Sequence, residues 1–210
     1  MQVTLIDHMG DDLTAVNAAR VSFAKKKDVF DEKDAKLVKY LASHGHTSPF
    51  FHIMLEFRIT APMFVARQWY RHTVGFARNE ESRRYISNTP NVYLPDYFRS
   101  KPEGSIKQGS AGVHEQSWAW KVNTANALNK CVELYNEMIS DGVAPEQARM
   151  ALPQGTETSW VETASLYAYA RLCNERMQPD AQVEIRDLAE KVYNQCKVIA
   201  PVSWKELTYV

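Results

Sequence analysis

The stretch IMLEFRITAPMFVARQWYRH, residues 53–72, changes its period at Pro62. Before the proline, Ile53, Leu55, Phe57 and Ile59 alternate with Met54, Glu56, Arg58 and Thr60, the pattern of a strand with one buried face. After it, Met63 to His72 reads as a helix, because proline suits a first helical turn, where its missing N–H would lack a partner anyway. A strand feeding directly into a helix, in a chain where helical patterns dominate, predicts an α+β domain with few strands and flanking helices.

The flanks extend that reading. Gln2 to Ile6 has strand alternation, and Asp11 or Asp12 can cap a helix running to Arg20. Lys33 to His44 carries Leu37, Val38 and Leu41 at helical spacing, with Gly45 placed for a left-handed cap. Prolines at 90, 95 and 102 and glycines at 104, 109 and 112 predict a functional loop over Ile86–Gly112. Glu115 to Ile139 is a long helix with Leu128, Val132, Tyr135 and Ile139 on one stripe, and Pro145 opens a short helix ended by Pro153. Thr156, Thr158 and Trp160 suggest another strand, followed by helices over Thr163–Arg176 and Pro179–Ile199, the latter burying Ile185, Leu188, Val192 and Cys196.

With 210 residues, no repeat and no linker, the chain reads as one domain over 1–210. Its composition, 45% hydrophobic and 24% charged, excludes a disordered polymer. Twenty-five basic and 25 acidic residues cancel, so no global field draws the protein to nucleic acid or an anionic membrane. No apolar run approaches the roughly 18 residues of a membrane span, and the start MQVTLIDHMGDD lacks a signal-peptide layout, which predicts a cytoplasmic protein. Cys131, Cys173 and Cys196 are too scattered for a disulfide framework or thiolate metal site and read as buried small hydrophobes. No spacing of the HExxH or CxxC kind predicts a metal, and no GxGxxG or GxxxxGK[ST] loop predicts a Rossmann or P-loop site.

Against the zero net charge, residues 58–85 hold six arginines and two glutamates. Gln68, Arg71 and His72 would share one helix face, and RNEESRR then brings Arg78, Asn79, Glu80, Ser82, Arg83 and Arg84 together. Guanidinium groups suit phosphate, while amides, hydroxyls and a carboxylate suit a sugar or base edge, so a nucleotide fits this mixture. A solvated face with local ion pairs would produce the same local pattern. A single-stranded nucleic-acid module, stacking bases on Trp69, Tyr70 and Tyr85, is a third reading, opposed by Glu80 and Glu81 within the cluster.

ARQWYRHTVGFARNEESRRY resembles the signature of the flavin-dependent thymidylate synthase family, RHR followed after seven or eight residues by Ser. Here Arg71, His72 and Thr73 take the first places and eight residues precede Ser82. ARVSF around Ser22, GHTSPFFH around His46 and Ser48, KQGS at Lys107–Ser110, ARMALP around Arg149 and the block from Leu152 to Ile185 agree in order. No cysteine lies in the Pro-Cys-His setting of the unrelated thiolate-dependent thymidylate synthases, which a route through reduced flavin does not require.

The resemblance implies the family's fold, with a small, mainly antiparallel sheet, and a homotetramer with shared active sites. It implies FAD-dependent conversion of dUMP to dTMP, with methylenetetrahydrofolate as carbon donor and NADPH as reductant. The dUMP residues it implies are Gln68, Arg71, Glu80, Ser82, Arg83, Arg84, Arg149 and Arg176, with Arg176 stabilising charge on the pyrimidine. The FAD residues are Ser22, His46, Ser48, Arg71, His72, Thr73, Asn79, Glu80, Ser165, Tyr167 and Arg171. Thr73 stands where the family has arginine, Ser165 and Tyr167 replace Asn and Arg, Arg171 replaces Asn and Asp180 replaces His. These departures imply an adjusted flavin pose, weaker flavin binding or a compensating charge from Arg171. The alternative they leave is a family member with a changed pyrimidine substrate or one-carbon product.

Overall fold

The computed structural model describes residues 1–104 and 109–210. Strand β1 (Gln2–Met9) leads into helix α1 (Asp12–Arg20), capped by Asp11. Helix α2 (Glu32–Ser43) is capped by Asp31 and ends where Gly45 adopts φ 70° and the His46 amide returns to the Leu41 carbonyl. A 3-10 turn over Ser48–His52 precedes β2 (Met54–Pro62) and α3 (Met63–Trp69). Strand β3 (Phe76–Glu80) follows, then a long segment whose described residues hold little regular structure, α4 (Ser117–Ser140) and α5 (Pro145–Ala148). The chain closes with β4 (Glu157–Ser165), α6 (Leu166–Arg176), α7 (Val183–Ile199) and α8 (Pro201–Leu207).

The four strands form one antiparallel sheet in the order β1-β2-β4-β3. One face of β2, made by Leu55, Phe57, Ile59 and Ala61, is completely buried, as its alternation predicts. Register sets Ala164, Glu162, Trp160 and Thr158 of β4 opposite those four residues. Tyr169 of α6 packs edge-on against both Phe57 and Phe76, joining the helical layer to the central and edge strands. Asp12 is itself buried and accepts from the Val202 and Ser203 amides at 2.9 and 2.7 Å, so the start of α1 caps the start of α8.

Several sequence expectations move. The helix expected over 63–72 stops at Trp69, leaving Arg71 and His72 in the turn beyond it rather than on one helix face. Residues 163–165 continue β4 because Thr163 and Ala164 pair with both neighbouring strands, so α6 begins three residues later than expected. Strand β3 lies within the polar run FARNE, which has no strand signal of its own, and the last short helix carries too brief a pattern to be read. The α4 stripe is only half-buried apart from Tyr135, and Cys131 is likewise half-buried, whereas Cys173 and Cys196 are enclosed.

Candidate functional site

The turn after α3 is fixed from beneath by a buried polar cluster. Arg78 and Glu162 face each other in register on β3 and β4, and Arg78 Nε donates to Glu162 at 2.6 Å. Trp69 Nε1 and Trp160 Nε1 also donate to this carboxylate, whose side chain is wholly enclosed. Arg78 Nη1 then donates to the His72 carbonyl, tying the turn to the sheet. Burial keeps unsatisfied polar groups costly, so four donors converging on Glu162 and His72 make this turn a rigid platform.

Above it, Arg176 at the end of α6 donates from Nε to His72 Nε2 at 2.8 Å and from Nη2 to the Gln68 carbonyl at 3.2 Å. The Gln68 amide donates to Gln182, and Gln182 donates to Glu184 at 2.8 Å. Arg99 of the long segment makes two bonds to Glu184, at 2.7 and 2.9 Å. Burial of Glu184 opposes its ionisation, yet hydrogen bonds from Arg99 and Gln182 outweigh it and hold the carboxyl below its usual range. Gln182 and Glu184 lie in the matched block ending at Ile185 but had no role assigned, and Arg99 carried no signal, since nothing local links any of them to Gln68.

Beside this network, Glu80, Ser82, Arg83 and Arg149 line one cleft of about 350 Å³ together with Met63, Thr156 and Thr158. Thr158 donates to the Glu80 carboxylate at 2.6 Å, and Arg83 is held by Asn88 at 2.6 Å. Thr156 and Thr158 stand two residues apart where the chain enters β4, the spacing that places neighbours on one face. Arg84 lies close by, 3.8 Å from Glu146 of α5. Of the residues expected to act on one nucleotide, four therefore share the cleft, Gln68 and Arg176 touch each other, and Arg71 is exposed on the turn.

Six of the eleven expected flavin residues line two clefts, and Arg71, His72, Thr73, Asn79 and Glu80 line neither. Ser22, His46 and Ser48 line a cleft of about 550 Å³ with Arg20, Tyr40 and His52. Ser165, Tyr167 and Arg171 line another, of about 310 Å³, with Phe51, Val74 and Gly75. Phe51 and His52 lie on the 3-10 turn that separates them, and Phe51 packs edge-on against Tyr167. Each cleft holds one arginine, Arg20 or Arg171, and aromatic rings beside it, groups that can meet phosphate and a planar ring. The Ser165 hydroxyl is committed to capping α6 through the Ala168 amide, and Thr73 and Asn79 are exposed outside both clefts. Lys107 and Gln108 of the KQGS match lie outside the described residues.

Among the described residues no cluster of His, Cys, Asp and Glu could hold a metal ion, and no helix is long and apolar enough to cross a membrane. The cleft combines two arginines with hydroxyls and carboxylates, groups that can pair with phosphate and with sugar hydroxyls. The chain belongs to the thymidylate synthase complementing protein family, whose model matches residues 4–202. It is 38% identical over 199 residues to the flavin-dependent thymidylate synthase of Thermosipho africanus, covering 94% of this chain and 86% of that one. A flavin-dependent thymidylate synthase of Thermus thermophilus is also 38% identical, with 96% and 73% covered. Among solved structures, the UMP/dUMP methylase PolB from Streptomyces cacaoi bound with 5-Br dUMP superposes with a TM-score of 0.86 at 28% identity, covering 98% of this chain and 93% of that one. The same methylase bound with 5-Br UMP gives the same TM-score and identity, with 98% of this chain and 92% of that one covered.

Proposed function

We propose that this protein methylates C5 of dUMP reductively to form dTMP, taking the one-carbon unit from methylenetetrahydrofolate and reducing equivalents from NADPH through FAD. The observation that carries the reading is the shared cleft of Glu80, Ser82, Arg83 and Arg149 in a chain of this family. Arg83 and Arg149, with Arg84 at the rim, neutralise the phosphate, and the Ser82 hydroxyl donates to it. Glu80, oriented by Thr158, accepts from a sugar hydroxyl. Gln68, Arg71 and Arg176 meet the pyrimidine side, where the Arg176 guanidinium stabilises negative charge as C5 becomes nucleophilic.

FAD, when bound, supplies the electrons that convert the transferred methylene group to methyl. Ser22, His46, Ser48, Ser165, Tyr167 and Arg171 would hold it, with Arg71, His72, Thr73, Asn79 and Glu80 as the further residues expected to contact it. The separation of these residues over two clefts of one chain supports a homotetramer in which neighbouring copies complete each site.

Incubating the protein with FAD, NADPH, methylenetetrahydrofolate and dUMP and separating the products tests the reading. Formation of dTMP supports it, and a complete mixture that leaves dUMP unchanged rejects it. The PolB similarity favours one second reading, acceptance of the ribonucleotide UMP, which a parallel titration of dUMP, UMP and dCMP resolves.

A further inference from the structure

We infer that His72 is a positioning residue for Arg176, its Nε2 lone pair holding the guanidinium in the orientation that meets the pyrimidine; the inference rests on the nucleotide reading above. An arginine carries donors only, so the 2.8 Å contact between Arg176 Nε and His72 Nε2 requires Nε2 to accept. The ring is then neutral with its proton on Nδ1, which faces Glu175 Oε2 across 3.9 Å, too far for a hydrogen bond.

The ring can act as a reference point because its own backbone is fixed. The His72 amide donates to the Trp69 carbonyl at 3.1 Å, and its carbonyl accepts from Arg78, which the enclosed Glu162 anchors. Arg176 therefore has two fixed partners, the His72 ring and the Gln68 carbonyl, which take Nε and Nη2. Nη1 has no partner among the described residues and is directed by the other two contacts. A planar guanidinium fixed at two donors has lost its torsional freedom before the ligand arrives, which is how a charge-stabilising group is preorganised.

Four charged groups face the histidine: Arg176, Glu175 and Arg171 from α6 and Arg78 from β3. Burial first, then Arg176, lowers its pKa to about 4, and Glu175 opposes that shift. Protonation would set imidazolium against guanidinium and release Arg176.

The test is a double-variant cycle on the FAD-loaded protein, reading dUMP affinity by calorimetry for wild type, His72→Leu, Arg176→Ala and the pair. We expect each single variant to weaken dUMP by about tenfold or more, and the pair to be no worse than Arg176→Ala alone. His72→Gln, which retains an acceptor near the Nε2 position, should recover most of the loss seen in His72→Leu. Wild-type affinity should also decline more steeply than that of His72→Gln as pH falls toward 4, the phosphate of dUMP titrating alike in both. Additive losses, or equal losses in the Leu and Gln variants, overturn the positioning role while leaving the nucleotide reading intact. An Arg176→Ala variant that binds dUMP normally overturns the positioning role while leaving the nucleotide reading intact, and a wild-type protein that binds no dUMP overturns the nucleotide reading.

Discussion

Arg78 Nε lies 2.6 Å from Glu162 Oε2, two charged side chains set directly opposite on neighbouring strands inside the protein. The same carboxylate accepts from two tryptophans, so the pair joins β3, β4 and α3 at one point and carries the turn that presents His72.

Removing one member of this pair strands the other without compensation. Glu162→Ala and Arg78→Ala should each cost about 3–5 kcal/mol. The double variant Arg78→Met with Glu162→Leu removes both charges but leaves the Trp69 and Trp160 indole N–H groups buried without their acceptor, so it should cost less than the two single losses added together without restoring the wild-type stability. Urea denaturation of the four proteins measures this, and additive losses in the double variant would contradict it.

Stability should depend on pH through His72. Its folded pKa, about 4, is below the ordinary value of 6.5, so between those pH values the unfolded chain binds more protons. The contribution is complete above pH 6.5, declines as pH falls and is lost below about 4. Discounted for partial solvent access, we expect about 1–3 kcal/mol less stability at pH 4 than at pH 7 from this group. His72→Gln should flatten that portion of the curve, and an unchanged slope in the variant would count against the assignment.

Arg176→Ala should affect chemistry more than folding, because the side chain sits at a helix end with part of its surface in solvent. We expect dTMP formation to fall by roughly two orders of magnitude, about 3 kcal/mol, with little change in melting temperature. Near-normal turnover at saturating dUMP would remove Arg176 from the mechanism.

Thr73 and Arg171 offer a separate test of the flavin region. If the missing guanidinium at Thr73 limits binding, Thr73→Arg should tighten FAD by about tenfold through a charge-assisted bond. If Arg171 already supplies that charge, the added arginine meets a like charge and affinity stays level or falls. Dissociation constants for Thr73→Arg, Arg171→Asn and the double variant distinguish these outcomes through their non-additivity. Near-zero, additive effects would show that neither side chain contacts the flavin.

The alternation in residues 53–60 determined β2 and its buried face, because a two-residue period can satisfy one wet and one dry side only as a strand. The arginine-rich segment and the ordered family motifs, read from local sequence, identified Glu80, Ser82, Arg83 and Arg149, which the fold then brings to one cleft. FARNE carried no comparable signal for β3, since this edge strand is stabilised by pairing with β4 rather than by a stripe of its own. Helix α8 was equally silent, being capped by Asp12, 190 residues earlier in the chain. The His72–Arg176 contact joins residues 104 positions apart, and the Arg78–Glu162 pair spans 84. Sequence determines periodicity and which chemistry is available, because those depend on neighbours along the chain; sheet register and helix docking alone decided which of these groups meet.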